Sequence, residues 1–184
     1  MMIAAMMLMS VGAFAQEAGQ MFVKPMVGGT LANFRGSDVS DDAKFKFGLV
    51  AGAEFGYMFA DQFGVTAGLL YTMQGAADDH NSDYNVNMDY LNIPILANYY
   101  IIPGLAVKAG IQPGFLMRAK CNDVDIKKAY KTLDIAIPLG LSYEFSDFVI
   151  DARYNLGLTK IPDVGDAKVY NSVIQLTIGY KIPL

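Results

Sequence analysis

Residues 46–74 read KFGLVAGAEFGYMFADQFGVTAGLLYTMQ. On both sides of Ala60-Asp61-Gln62 the apolar residues fall at every second position. Phe47, Leu49, Ala51, Ala53, Phe55, Tyr57 and Phe59 precede that turn, and Phe63, Val65, Ala67, Leu69, Tyr71 and Met73 follow it. Successive side chains of a strand point to opposite faces, so period two reads as strand and excludes a helix here. The opposing face holds Lys46, Gly48, Val50, Gly52, Glu54, Gly56 and Met58, then Gly64, Thr66, Gly68, Leu70, Thr72 and Gln74. The stretch is a hairpin with one apolar face and one face of small and polar residues.

The alternation recurs at 105–115, 133–145, 148–156 and 170–182, with less regular runs near 21–31 and 87–100. Eight strands result. Short turns at Ala60-Asp61-Gln62, Ile102-Pro103-Gly104 and Ser146-Asp147 alternate with long polar connections near 32–45, 74–86, 118–130 and 158–169. Short turns on one side and long loops on the other form the pattern of bacterial outer-membrane barrels, with the short turns facing the periplasm.

Composition agrees. Of 184 residues, 53% are apolar and only 17% charged, against about 25% charged in a soluble domain. No apolar run reaches the roughly 18 residues of a spanning helix, whereas a closed barrel satisfies its backbone without one. The net charge of -4 leaves no basic footprint for nucleic acid. MMIAAMMLMSVGAFA, residues 1–15, ends in Ala-Phe-Ala and reads as a signal peptide, leaving 16–184 as the barrel domain. Cys121 is the only cysteine, so no intramolecular disulfide forms, and it reads as a lone loop thiol.

The small, polar face carries most of the 18 glycines and few charges, too bare for a solvated exterior but suited to the filled interior of a small barrel. The apolar face therefore looks outward to lipid. Tyr57, Phe59, Phe63, Tyr99, Tyr143, Phe145, Phe148 and Tyr180 cluster beside the short turns as a periplasmic aromatic belt. Pro25, Pro94, Pro113 and Pro138 interrupt the runs, and because a closed barrel has no edge strand, local bulges are expected at them. The reading is an all-β, eight-stranded antiparallel up-and-down transmembrane β-barrel.

The segment DYLNIPILANYY, residues 89–100, the glycine-aromatic hairpin around 48–72 and RYNLGL at 153–158 resemble the PorT-type outer-membrane β-barrel family, which shares the small-barrel architecture of OmpA, OmpX and OmpW. The resemblance implies the outer membrane of a Gram-negative cell and a link to secretion or assembly, and it transfers no catalytic residue. The chain ends Lys181-Ile-Pro-Leu184, where such barrels often end in an aromatic residue.

Among inward positions, Glu54, Lys108, Asp151 and Arg153 all lie a few residues from a short turn and are expected to form a salt-bridge network plugging the lumen. Charges buried in a low-dielectric interior must be paired. The whole inward set is nearly balanced, with Lys24, Lys46, Lys108, Arg153 and Lys181 against Glu54, Asp134, Glu144 and Asp151. The connection at 118–131 carries Arg118, Lys120, Lys127, Lys128 and Lys131, a basic loop for lipopolysaccharide phosphates or an acidic partner. Asp78-Asp79-His80-Asn81-Ser82-Asp83 lacks the glycine and bidentate glutamate of a calcium loop. His80 and Ser82 sit at a loop tip with nothing to orient them. No catalytic residue, metal or cofactor is expected. The expected partners are outer-membrane lipid and lipopolysaccharide, with a surface or periplasmic protein as a further candidate. The expected role is structural or surface-interacting through the long loops, the alternatives being a narrow channel for ions or small solutes and a PorT-like secretion or assembly factor.

Overall fold

The computed structural model describes residues 18–36, 43–78, 85–121, 124–162 and 168–184. Eight barrel strands run in sequence order: β1 Met21–Arg35, β2 Ala43–Ala60, β3 Phe63–Asp78, β4 in two segments (Asn85–Asn92 and Ile95–Ile102), β5 Leu105–Cys121, β6 Leu133–Phe145, β7 Phe148–Gly157 and β8 Tyr170–Tyr180. Each pairs antiparallel with its neighbours, and β8 pairs back onto β1 from Met26↔Gly179 to Arg35↔Tyr170. Among the described residues the eight barrel strands close into a ring, so none of them is an edge strand.

Burial follows the pleat. Along β7 exposed and buried residues alternate from Phe148 to Asn155, and in β8 the exposed Ile174, Leu176, Ile178 and Tyr180 alternate with the buried Val173, Gln175, Thr177 and Gly179. The exposed face is the apolar one, and the inward face is polar. Aromatic side chains crowd the short-turn end, with Tyr57 and Phe59 4.8 Å apart edge to face and Phe148 and Tyr180 5.3 Å apart. At the turns, Gly104 (φ 83°) and Ser146 (φ 54°) take the left-handed conformation.

Two sequence expectations are corrected. None of the four prolines sits at a bulge. Pro25 pairs with Ala53, Pro113 with Ile135 and Pro138 with Asn155, in unbroken register. At Pro94 the strand pauses, yet the same register joins Asn92↔Leu70 to Ile95↔Ala67. A proline removes one N–H, but its carbonyl still serves the ladder: Gly68 N donates to Pro94 O at 2.9 Å and Ile93 N to Pro113 O at 2.8 Å. Away from the turns the register shifts instead lie between Phe45 and Val50 on β2 and between Asp89 and Tyr90 on β4.

The strands also run farther than expected at the long-loop end, so that Arg118, Lys120 and Cys121 belong to β5 rather than to a loop. Beyond the membrane both faces of a hairpin are wet, and its pairing continues with no apolar alternation to reveal it. The stretch read as a signal peptide, residues 1–15, and most of the acidic loop, including His80 and Ser82, lie outside the described residues.

An outward face in contact with lipid makes a direct prediction. Leu139, midway along β6 and 49% exposed, changed to arginine should cost about 2–4 kcal/mol of stability in bilayers. Equilibrium unfolding from vesicles reads this out, and a neutral result would mean that water covers that face.

Candidate functional site

The lumen is filled in layers. At the periplasmic end Phe22, Met58, Tyr100 and Ala106 form an apolar cap. Beside it Lys181 Nζ lies 3.0 Å from Glu144 Oε2 and 4.5 Å over the Phe22 ring, and Tyr100 donates its hydroxyl to Glu144 Oε1 at 2.5 Å.

The next layer joins Glu54, Lys108, Asp151 and Arg153, together with Lys24. Lys24 Nζ is 2.9 Å from Glu54 Oε2 and 3.7 Å from Asp151 Oδ2. Lys108 Nζ reaches Asp151 Oδ2 at 2.5 Å and Glu54 Oε2 at 3.8 Å. Arg153 places Nη2 2.6 Å from Glu54 Oε1 and Nε 2.6 Å from Asp151 Oδ1. None of the five is more than 6% exposed. They come from β1, β2, β5 and β7, and β5 stands opposite β1 in a ring of eight, so the cluster crosses the full width of the lumen.

Register explains the convergence. Gly140 on β6 sits between Lys108 and Arg153 in the same cross-strand row, and with no side chain there both cations can lean toward Asp151. Gly68 gives Glu54 the same room on its β3 side, while Lys24 pairs directly with Glu54 on its β1 side. Lys24 is the residue that the sequence selection of the network missed. Its cross-strand partner was readable only once the register of the irregular β1 run was known. Three cations against two carboxylates leave this layer at a formal +1.

Above it Met26, Val50 and Leu70 pack together, followed by a polar layer. There Thr72 Oγ1 accepts from Asn92 Nδ2 at 2.7 Å and Gln74 Nε2 at 2.9 Å, and Asn171 Nδ2 donates to Asp134 Oδ2 at 2.7 Å. The outer end is closed by Met88, Tyr90, Leu116 and Ala119 with Ile161, a residue of the connection between β7 and β8. That connection is stitched to the one before β6: Tyr130 bridges Pro162, and Lys131 N donates to Ile161 O at 2.9 Å. No signal in the sequence marks Ile161 as a lid.

The basic residues separate into two groups. Arg118 is not a loop cation: its Nε lies 2.7 Å from Asp89 Oδ2. Lys120 pairs in the β5 backbone ladder with Asn87 and Asp125. Of the connection's lysines, Lys131 lies just before β6, while Lys127 and Lys128 stand in a single 3-10 turn, Lys127–Ala129. They border a recess of about 690 Å³ lined also by Asp125, Tyr130 and Thr132. Among the described residues no group of three His, Cys, Asp or Glu side chains is placed to hold a metal ion.

Residues 14–163 match the family model described as outer membrane protein beta-barrel domain. No curated protein matches the sequence. Among solved structures the chain is similar to Ail, the attachment invasion locus protein of Yersinia pestis, at 18% identity and a TM-score of 0.53, over 90% of this chain and 99% of that one. Neisserial surface protein A is similar at 14% identity and a TM-score of 0.58, over 88% and 97%. The outer membrane protein AlkL is similar at 12% and 0.51, over 95% of each chain. At these identities the likeness is one of fold.

Proposed function

Since the chain belongs to the outer membrane protein β-barrel domain family and so to the outer membrane, we propose that it is a plugged, non-conducting barrel whose work is done by its extracellular connections. The observation that carries this reading is the five-residue ion cluster bridging opposite walls of the lumen, buried between an apolar cap on the periplasmic side and the Ile161 lid on the other. A passing solute would have to part ion pairs that nothing else in a narrow, low-dielectric lumen replaces, at a cost of several kcal/mol per ion.

With the lumen filled, recognition falls to the outer surface. Lys127 and Lys128, presented beside the recess, suit an anionic contact, whether lipopolysaccharide phosphate or an acidic protein partner. The wall itself contacts membrane lipid. Nothing in this role requires catalysis.

Single-channel recording on the refolded protein in planar bilayers tests the plug. Baseline current without discrete steps is the expected result. Regular openings would establish the narrow channel instead.

A further inference from the structure

We infer that Arg118, held by the buried Asp89 on the outward wall, is a binding site for the phosphate of the lipopolysaccharide anchor in the outer leaflet. The site lies outside the lumen, and the inference does not depend on the plug.

Three observations carry it. The first is the side on which the pair lies. Leu91 pairs with Tyr71 and Phe115, both exposed on the lipid face; Asp89, two residues earlier on β4, shares that face. A carboxylate pointing away from the lumen is unusual on this barrel, and Asp89 is only 2% exposed. It is covered by its own partners: Arg118 Nε at 2.7 Å and the Tyr71 hydroxyl, which donates to Asp89 Oδ2 at 2.7 Å.

The second is height. Going up β5 on the lipid side, Leu105, Val107, Ala109, Ile111, Pro113, Phe115 and Met117 carry no charge, and Arg118 is the first one met. On β4 the ascent from Ile101 through Tyr99, Ala97, Ile95 and Leu91 is equally uncharged until Asp89. Ten residues separate Tyr99 of the periplasmic belt from Asp89. At a rise of about 3.4 Å per residue and a tilt of about 40°, that is roughly 26 Å along the membrane normal. The apolar band of such barrels is about 25 Å tall, which sets the pair at the outer headgroup level.

The third is the donor geometry. A guanidinium has five N–H donors in a planar fork, and a single carboxylate engages at most two of them. The Arg118 side chain is 51% exposed, so its orientation is fixed from the buried side while the outer edge faces the headgroups. A bidentate contact to phosphate is the chemistry such a fork matches. The Met117 and Phe115 side chains just below, 52% and 40% exposed, offer the acyl chains an apolar surface.

Native mass spectrometry of the full chain in nanodiscs, with either diphosphorylated lipid A or its dephosphorylated form, tests the site. The wild type should retain the phosphorylated lipid, and Arg118→Gln should lose at least about tenfold of that retention. Retention of the dephosphorylated lipid should be unchanged. Because Arg118→Gln strands a buried carboxylate, the double variant D89N/R118Q is measured alongside, removing both charges together; heat-modifiable gel mobility confirms that each variant has folded. Equal retention of phosphorylated lipid by wild type and the double variant would overturn the proposal, as would equal retention of the two lipid forms by the wild type. So would phosphatidylglycerol displacing lipid A at equal concentration.

Discussion

Replacing Glu54 with glutamine is expected to lower the stability of the barrel by about 3–5 kcal/mol. The change is nearly isosteric, so the loss is electrostatic. Lys24, Lys108 and Arg153 would then face Asp151 alone, and the formal charge of the layer would rise from +1 to +2. Asp151→Asn should act alike, since Asp151 receives Lys108 at 2.5 Å, Arg153 at 2.6 Å and Lys24 at 3.7 Å. Lys108→Met should behave quite differently. It keeps most of the side-chain volume and leaves two cations against two carboxylates, so its cost should stay within about 1 kcal/mol. Urea unfolding in vesicles compares the three variants. If Lys108→Met proved as costly as Glu54→Gln, charge balance would not be what holds this layer together.

The second large effect concerns neighbouring glycines on opposite faces of β1. A Cβ at the inward Gly28 would stand 2.0 Å from the Leu176 carbonyl oxygen and 2.6 Å from the Thr177 Cα, both backbone atoms of β8 at the seam where the barrel closes. Backbone cannot swing aside, so Gly28→Ala must push β1 and β8 apart and cost ladder hydrogen bonds. Overpacking of this kind costs about 1–3 kcal/mol and more when backbone must move. The compact, heat-modifiable form should be largely lost. At Gly29 the same added atom would meet the Phe47 ring at 2.9 Å, a side chain facing lipid that can rotate away. Gly29→Ala should therefore fold. Equal behaviour of the two variants on gel mobility would sink the seam argument.

Much of this architecture was legible because the pleat is local. Phe55 and Glu54 point to opposite sides whatever the rest of the chain does, and Ser146-Asp147 makes a short turn on local grounds. The irregular runs were harder. In β4 the break at Ile93-Pro94 divides the strand into two segments of eight residues, and the bulge at Asp89/Tyr90 shifts its register against β5. The prolines look like breaks in the sequence because each lacks an N–H, but the carbonyls of Pro94 and Pro113 hold their ladders in register. Arg118 misled for a different reason: a charged residue after an apolar run looks like the start of a loop, although paired strands continue past the membrane.

The sequence by itself determined the strand period, the face each side chain takes along the regular runs, the alternation of short turns with long connections, and that Glu54, Lys108, Asp151 and Arg153 point inward. Each of these follows from alternation along one strand or from the length of one connection. Only the tertiary structure decided which inward charges meet, that Lys24 completes their cluster, that Ile161 closes the outer end, and that Asp89 faces lipid with Arg118. Those contacts join residues far apart in the chain, 43 positions for Lys108 and Asp151. They depend on the stagger between strands and on closure of β8 against β1, properties of the whole ring that no single strand contains.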